Sequence, residues 1–286
     1  MPELPEVETI RRDLEAKIKN KEIVGIAVKK PSVVRGAYKK LIAAMDGQAI
    51  TAINRRGKLL IAVLRDDRFL LIHLKMTGQL IYEYKQEIIA GGHSFAKTDL
   101  DLPGKHTHVI ISFRDGSHLY FNDLRQFGYM KIVDKKGLEE ELAKFGIEPL
   151  TADFTLANFK KIFARRKTSV KALLLNQKLI AGIGNIYADE ICFYAGIRPS
   201  RTAPTLNNAE IKKLYQGCKI ILQKAIKARG TTFNTFRDAD GNKGGFIKFL
   251  KVYGRKGERC KRCRAGVIIK IKQGGRGTHY CPECQK

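Results

Sequence analysis

Four cysteines near the C-terminus constrain the fold of this chain more than any other feature of its sequence. They form two Cys-x-x-Cys pairs with 17 residues between them. Two such pairs supply four thiolates, the usual ligand set of a closed, tetrahedral zinc site with Zn–S distances of about 2.3 Å. A redox pair or two disulfides are the alternatives, but the spacing favours one structural Zn²⁺ ion. The predicted metal ligands are Cys260, Cys263, Cys281 and Cys284.

The segment between the cysteine pairs is predicted to be a β-hairpin. Val267, Ile269 and Ile271 recur at every second position, as in a half-buried strand, and the glycine-rich stretch 274–277 provides the tip. Arg276 lies in this tip. A planar guanidinium in that position is well suited to bind a phosphate group.

The charge of the chain indicates a polyanionic partner. Its 54 Lys and Arg residues outnumber 28 Asp and Glu residues, which gives a net charge of +26. Such an excess is typical of proteins that bind nucleic acid or an acidic membrane surface. No uncharged apolar stretch approaches the roughly 18 residues of a membrane span, and no signal-peptide pattern is present. We therefore expect a cytoplasmic protein that binds nucleic acid and no membrane.

The hydrophobic pattern predicts an α+β fold. Apolar residues at spacings of three and four predict an amphipathic helix over residues 5–18. Seven short β-rich runs follow between residues 23 and 121 and predict a two-layer β-sandwich, with a long loop at 85–105. The predicted domains are 1–134 for the sandwich, 135–155 for a linker, 156–250 for a helical domain and 251–286 for the cysteine-rich hairpin.

The helical domain contains a turn that is suited to bind phosphate. Gly182-Ile183-Gly184 breaks the helical pattern, and Asn185 is predicted to cap the next helix. Backbone N–H groups and an amide at a helix N-terminus favour a bound anion. An ordinary tight turn between two helices is the alternative. A further helix is expected over about 209–229, followed by a polar loop at 231–245.

The N-terminus offers a nucleophile. Pro2 is small enough to permit removal of Met1, which would expose a secondary amine with a pKa of about 7.7–8.0. Such an amine can attack a carbon next to oxygen and form a cationic iminium, and the adjacent Glu3 can transfer protons. The alternative is that Pro2 is merely a common second residue and that Glu3 begins a helix.

Two other segments combine apolar residues with cations near turn glycines. Met76 follows His73-Leu74-Lys75, and Arg125 and Phe127 lie within residues 123–128. Methionine and phenylalanine beside strands usually pack in a core. At a basic loop tip they can instead insert between stacked bases.

These motifs, in this order, resemble the bacterial formamidopyrimidine-DNA glycosylase family, the 8-oxoguanine-DNA glycosylases. The resemblance extends from residue 2 to the C-terminus. It implies a β-sandwich with a nucleophilic N-terminal helix, a helix-two-turns-helix domain with a lesion-capping loop, and a zinc-ribbon hairpin. The motifs that carry it are 2–9, 56–58, 73–78, 125–128, 181–190 and the two cysteine pairs.

The resemblance also implies an activity. A monomeric enzyme of this family flips a damaged nucleotide out of duplex DNA, removes an oxidised purine and cleaves the strand at the abasic site, in base excision repair. By resemblance, the amine of Pro2 forms the Schiff base, Glu3 donates a proton to the sugar-ring oxygen, and Lys58 contacts the lesion nucleotide. The loop 231–245 closes over the extruded base.

The remaining site residues implied by the resemblance bind DNA. Asn185 and Arg276 grip phosphates around the lesion. Met76, Arg125 and Phe127 fill the vacated stack and address the orphaned cytosine. His73 and Tyr253 complete the predicted DNA-binding set.

Two departures and two alternatives remain open. Asn176 stands where the family often has aspartate, and Arg264 stands where glycine usually follows the second cysteine. Neither position belongs to the predicted chemistry. An endonuclease VIII-type enzyme that removes oxidised pyrimidines is the nearest alternative, although Leu4 favours the purine branch because the other group usually has glycine there. A zinc-containing DNA-binding protein without catalysis is the alternative of a different class.

Overall fold

The computed structural model describes residues 1–85, 87–92, 102–164, 166–231 and 245–286. The chain divides into two compact units, one of residues 1–143 with 228–245 and one of residues 144–227 with 246–286. The predicted loops at 85–105 and 231–245 lie partly outside the described residues. Within the described ranges, no helix is both long enough and apolar enough to cross a membrane.

The first unit is built from nine strands and three helices among its described residues. Its helices are α1 (Leu4–Ile18), α2 (Tyr38–Met45) and α3 (Lys135–Leu142). Its strands are β1 (Ile23–Val28), β2 (Ile50–Arg56), β3 (Leu59–Leu64), β4 (Phe69–His73), β5 (Gly78–Tyr84), β6 (Glu87–Gly92), β7 (Thr107–Phe113), β8 (His118–Asp123) and β9 (Tyr129–Val133).

These strands form the two layers of an antiparallel β-sandwich, which confirms the predicted fold class. One sheet has the order β1-β7-β8-β5-β6 and the other β2-β3-β4-β9. A single hydrophobic core contains residues from both sheets and from α1, for example Leu14, Leu60 and Phe121. A hairpin turn with Asp115-Gly116 joins β7 to β8, where the N–H of Phe113 donates to the carbonyl of Ser117 at 2.9 Å.

The structure adds elements that the sequence pattern did not predict. Strand β6 occupies part of the predicted loop at 85–105, so that prediction was wrong for residues 87–92. Strand β9 and helix α2 were also missed. A signal for α2 exists, because Tyr38, Leu41 and Met45 recur at helical spacing and pack in or against the core.

The second unit consists of helices followed by a two-stranded hairpin. Its elements are α4 (Leu156–Phe163), α5 (Val170–Leu175), α6 (Asn185–Ala195), α7 (Asn208–Lys227), β10 (Ile269–Gln273) and β11 (Arg276–Tyr280). Helix α6 is almost entirely buried and packs on both α7 and β11. This central position makes α6 the element that connects the helical part of the unit to the hairpin.

Candidate active site

The N-terminus of the chain is held at the start of α1. Glu3 is the N-cap residue, and the carboxylate of Glu6 turns back to accept a hydrogen bond from the N–H of Glu3 at 3.0 Å. This reciprocal cap fixes the direction in which the chain enters the helix. Pro2 is buried, and Glu3 is only 2% exposed. The predicted nucleophile and proton donor are therefore neighbours in a shielded position at a helix N-terminus.

Glu6 is a functional candidate that sequence reasoning did not identify. Its second carboxylate oxygen accepts a hydrogen bond from the N–H of Thr231 at 2.6 Å. Nearby, Asp13 of the same helix pairs with Arg229 at 2.7 Å. Both contacts join α1 to residues 229–231, where the predicted capping loop 231–245 begins. A glutamate three residues after the N-cap is the sequence signal that indicates such a role.

Lys58 lies in the two-residue turn between β2 and β3. Because Arg56 at the end of β2 pairs with Leu59 at the start of β3, the turn consists of Gly57 and Lys58. Lys58 is 6% exposed. Its neighbour Leu59 pairs with His73 on β4, so the turn and the end of β4 lie side by side.

His73 is a neutral imidazole of defined tautomer. Burial, together with the positive charges of Lys75, Lys58 and Arg35, lowers its pKa to about 3. The N–H of Lys75 donates to Nδ1 of His73 at 3.0 Å, so the ring proton is on Nε2. A neutral Nε2–H group among three cations is a hydrogen-bond donor suited to a phosphate oxygen.

The predicted wedge residues lie on two exposed loop tips. Met76 is 40% exposed and Phe127 is 53% exposed, and the guanidinium of Arg125 lies over the ring of Phe127 at 4.6 Å from its centroid. Exposed apolar side chains beside cations do not belong to the core. Their exposure favours the base-stacking interpretation over core packing.

Buried Asp123 holds both loop tips in place. One carboxylate oxygen accepts hydrogen bonds from the hydroxyl of Thr77 and from the N–H of Arg125, the latter at 3.2 Å. The other accepts from the N–H of Gly128 at 2.6 Å. A Cβ atom at Gly128 would lie 2.9 Å from this carboxylate, so only glycine fits. Asp123 thus fixes the two ends of the segment that carries Arg125 and Phe127.

In the second unit, the predicted phosphate grip is formed by α6 and the hairpin. Gly184 is the N-cap of α6 and Asn185 is its first residue, so the prediction that Asn185 caps the helix was wrong by one position. The amide of Asn185 donates to the carbonyl of Gly277 at 3.0 Å. Arg276, the preceding residue, is exposed at the beginning of β11. This bond joins Asn185 to the residue that follows Arg276 in the chain.

A buried charge network fixes the hairpin to the helices. The ammonium of Lys171 on α5 pairs with Asp189 on α6 at 2.6 Å and donates to Gly277 and Thr278 on β11 at 3.1 and 2.8 Å. The other carboxylate oxygen of Asp189 accepts from the N–H of His279 at 2.8 Å. No sequence signal identified Lys171 or Asp189, because their partners lie far away along the chain.

Tyr253 is positioned by a second buried acid. The carboxylate of Glu190 accepts hydrogen bonds from three consecutive N–H groups, those of residues 251–253, at 2.9–3.1 Å. The ring of Tyr253 packs edge-on against that of His279 at 4.9 Å. The predicted DNA contact at Tyr253 therefore shares its support with the hairpin.

The four cysteines form a cluster that fits one zinc ion. Their Sγ atoms lie within 4.8 Å of one another, with Cys260–Cys284 at 3.7 Å and Cys263–Cys281 at 3.8 Å. A tetrahedron with Zn–S bonds of about 2.3 Å has S–S edges of about 3.8 Å. The donor set and its spacing thus match a structural zinc site, as predicted.

The predicted site residues fall into two groups. The first unit holds the proposed chemistry and the base-stacking residues, and the second unit holds a phosphate-binding set with the metal ligands. The first group is Pro2, Glu3, Lys58, His73, Met76, Arg125 and Phe127, and the second is Asn185, Tyr253, Arg276 and the four cysteines.

The fold and the site define a zinc-finger DNA glycosylase. Residues 1–130 match the family model of the formamidopyrimidine-DNA glycosylase N-terminal domain. Residues 145–237 match the formamidopyrimidine-DNA glycosylase H2TH domain, and residues 257–286 match the zinc finger found in FPG and IleRS.

Similar proteins are found over the whole chain. The formamidopyrimidine-DNA glycosylases of Pelotomaculum thermopropionicum and Desulfitobacterium hafniense are 42% and 41% identical to it, over 100% of this chain and 99% and 100% of theirs. The chain belongs to the formamidopyrimidine-DNA glycosylase family, whose members hydrolyse N-glycosyl bonds. The family predicted from the motifs is confirmed.

Solved structures agree. A Lactococcus lactis FPG mutant in complex with DNA containing Fapy-dG has a TM-score of 0.89 and 37% identity, with 100% of both chains covered. The Lactococcus lactis Fpg in complex with DNA containing an abasic site has a TM-score of 0.87 and 36% identity, with 99% of both chains covered.

Proposed function

We propose that this chain is a bifunctional DNA glycosylase and AP lyase that excises oxidised purines, namely 8-oxoguanine and formamidopyrimidines, from duplex DNA in base excision repair. The observation that carries the proposal is the adjacent, buried pair Pro2 and Glu3 at the N-terminus of α1, tied by Glu6 to Thr231. The Fapy-dG and abasic-site DNA in the similar structures support the choice of substrate.

The proposed chemistry begins after Met1 has been removed. The lone pair of the Pro2 nitrogen attacks the sugar C1′ while the bond from C1′ to the base breaks, and the base leaves with a proton. Glu3 donates a proton to the ring oxygen, so the sugar opens and a cationic iminium forms. This iminium accepts electrons when C2′ loses a proton, which expels the 3′ phosphate. A second elimination expels the 5′ phosphate.

The remaining residues are proposed to bind and distort the DNA. Lys58 and the Nε2–H group of His73 contact phosphates at the lesion, while Asn185, Tyr253 and Arg276 hold the backbone from the second unit. Met76, Arg125 and Phe127 occupy the space left by the flipped nucleotide. The net charge of +26 supplies long-range attraction to the duplex.

We further propose that the enzyme works as a monomer in the bacterial cytoplasm, in association with the nucleoid and not with a membrane. The bacterial origin of its relatives supports this setting. The strongly positive charge, which disfavours self-association, supports the monomer.

Borohydride trapping tests the proposed mechanism. Wild type and Pro2→Gly are incubated with a duplex that contains 8-oxoguanine opposite cytosine, after intact-mass spectrometry has verified removal of Met1. The wild type should form a covalent protein–DNA adduct, and Pro2→Gly should form much less. Pro5→Ala is the matched control, because it alters the same helical turn but keeps the secondary amine.

Each other result has a distinct meaning. An adduct with an oxidised pyrimidine but none with 8-oxoguanine would move the chain to the endonuclease VIII type. Tight binding without an adduct on either lesion, with Met1 removed, would refute the Schiff-base mechanism. Equal adduct yields from wild type and Pro2→Gly would show that the chemistry does not need a secondary amine, because the variant keeps a primary N-terminal amine that can also form a Schiff base.

A further inference from the structure

The zinc knuckle carries a concentration of positive charge that the proposed mechanism does not use. Residues 255–264 contain six cations and a single acid, Glu258. Two of the cations have structural partners. Arg255 pairs with Glu258 at 2.8 Å, and Arg262 stacks on Phe193 at 4.0 Å and donates to the carbonyl of Tyr194. The other four are exposed, and we name them the knuckle cations: Lys256, Arg259, Lys261 and Arg264.

The knuckle cations are not neutralised by neighbouring acids. None of their side chains forms a salt bridge with any residue in the described ranges, and the nearby Glu258 is already paired with Arg255. Glu283, which lies close to Gly266 in the second knuckle, is the other acid of this region. The four knuckle cations therefore form no salt bridge within the part of the chain that the structure describes, and they face solvent.

Arg264 adopts a backbone conformation that disfavours an arginine. Its φ angle is +59°, in the left-handed region, while its N–H donates to the carbonyl of Cys260 at 3.0 Å. Glycine adopts this conformation without strain, whereas an L side chain does not. A strained, exposed residue at such a point indicates a role outside folding.

The knuckle cations are separated from the predicted phosphate contact of the hairpin. Cys281 directly follows β11 at the knuckle end, whereas Arg276 lies at the opposite end of the hairpin. Strand β11 is five residues long, so its two ends are about 13 Å apart at roughly 3.3 Å per residue. Duplex DNA carries one phosphate charge for every 1.7 Å or so of its axis, so a separate group of phosphates can be contacted at that distance.

We propose that Lys256, Arg259, Lys261 and Arg264 form a second phosphate-binding surface for duplex DNA, distinct from the Arg276 end of the hairpin. The proposal rests on the proposed DNA-binding function of the same unit. This surface reads no sequence and no lesion. It adds electrostatic affinity for undamaged duplex DNA, the form that the enzyme meets while searching.

The competing explanation is that these cations serve the metal site. Four thiolates and one Zn²⁺ carry a net negative charge, which neighbouring cations stabilise. The two roles differ in their consequences, because the first changes DNA binding with zinc in place and the second changes zinc retention.

The test is the salt dependence of binding to an undamaged duplex of about 30 base pairs by zinc-loaded protein. The variant Lys261→Ala/Arg264→Gly removes two cations, and its glycine relieves the left-handed strain, so loss of folding is not expected. Each phosphate contact contributes about 0.9 to the slope of log K against log salt, so the slope should become shallower by about 1.8. Between about 50 and 200 mM salt, the affinity of the variant should then fall roughly 12-fold less than that of wild type.

The matched control is Lys135→Ala/Lys136→Ala, which removes two exposed cations from α3 and should leave the slope unchanged. Zinc content and borohydride trapping at low salt are measured on every variant. If Lys261→Ala/Arg264→Gly traps DNA normally and its salt slope equals that of wild type, the second phosphate-binding surface is refuted and the proposed function stands. If the wild type itself forms no borohydride-trapped adduct, the proposed function is refuted. Weaker zinc retention with an unchanged DNA slope would assign the cations to the metal. Reduced binding to phosphatidylglycerol vesicles with an unchanged DNA slope would assign them to a membrane and refute the proposal.

Discussion

Replacement of Lys171 by methionine tests the charge network that holds the hairpin. The ammonium of Lys171 and the carboxylate of Asp189 are 2.6 Å apart, and their side chains are 2% and 0% exposed. Methionine fills a similar volume without the charge. Among the residues that the structure describes, the substitution leaves the buried Asp189 carboxylate with hydrogen bonds to the N–H and the ring of His279 alone.

The expected cost follows from this burial. Removal of one partner from a buried ion pair typically lowers the free energy of unfolding by about 3–5 kcal/mol, because the other charge stays buried without compensation. Asp189→Asn should cost a similar amount, since it leaves the ammonium of Lys171 without its counter-charge. Lys171→Met/Asp189→Asn removes both charges, while the asparagine oxygen can still accept from His279. This double variant should lose only about 1–3 kcal/mol, the worth of the hydrogen bonds to Gly277 and Thr278.

The assay is denaturant unfolding of zinc-saturated protein, followed by far-UV circular dichroism because the chain has no tryptophan. The four proteins form a double-mutant cycle, and the coupling energy isolates the pair. Additive costs of the two single substitutions would refute a direct ion pair. A cost below about 1 kcal/mol for Lys171→Met would show that the buried charge is compensated by another group.

Three other predictions concern separate parts of the molecule. Asp123→Asn should lower the free energy of unfolding by about 2–4 kcal/mol and weaken binding to a lesion-containing duplex, because an amide NH₂ cannot accept the hydrogen bond from the N–H of Gly128 or of Arg125. Unchanged DNA binding, measured by fluorescence anisotropy, would contradict a role of Asp123 in holding the loop tips. The pKa of His73 is about 3 in the folded chain, so between about pH 6.5 and 3 the unfolded chain binds a proton that the folded chain does not, and stability is lost as the pH falls through this range. His73→Gln should flatten this part of the pH–stability curve. Parallel curves for the variant and the wild type would refute the lowered pKa of His73. Chelation of zinc should make four of the six cysteines reactive towards a thiol reagent. Cys192 and Cys218 should stay unreactive in the folded chain, because both are buried and burial raises the pKa of both thiols. Rapid labelling of all six cysteines would show that the helical core opens together with the hairpin.

Local sequence patterns predicted the elements that local physics determines. The spacing of apolar residues predicted α1, β-branched runs predicted most strands of the sandwich, and the cysteine spacing predicted the metal cluster. Strand β6 was missed because Gly91 and Gly92 are typical of a loop. In the structure a Cβ atom at Gly91 would lie 2.6 Å from Ile10 of α1, so glycine is required there by close packing of the helix and not by a turn.

The supporting side chains of the site could not be predicted in this way. Asp123 contacts Thr77, 46 residues earlier, and Lys171 contacts Thr278, 107 residues later. Periodicity and turn chemistry report on neighbours within a few residues and carry no information about such partners. The exposed residues Met76, Phe127 and Arg276 were found through motifs, whereas the buried residues that orient them have no local signature.

The acids of this chain explain how so positive a protein keeps its binding residues in place. Of 28 acidic residues, several that the structure describes are buried, and they anchor irregular backbone or clustered cations. Asp123 holds two loop tips, Glu190 holds the segment that carries Tyr253, and Glu8 binds three arginines, whose hydrogen bonds lower its pKa to about 2 against the opposing effect of burial. Many of the cations are exposed, whereas these carboxylates act in the interior. Neutralising one buried acid should consequently damage the enzyme more than removing one exposed cation, since the acid supports several of the proposed binding residues and the cation is proposed to contact only one phosphate.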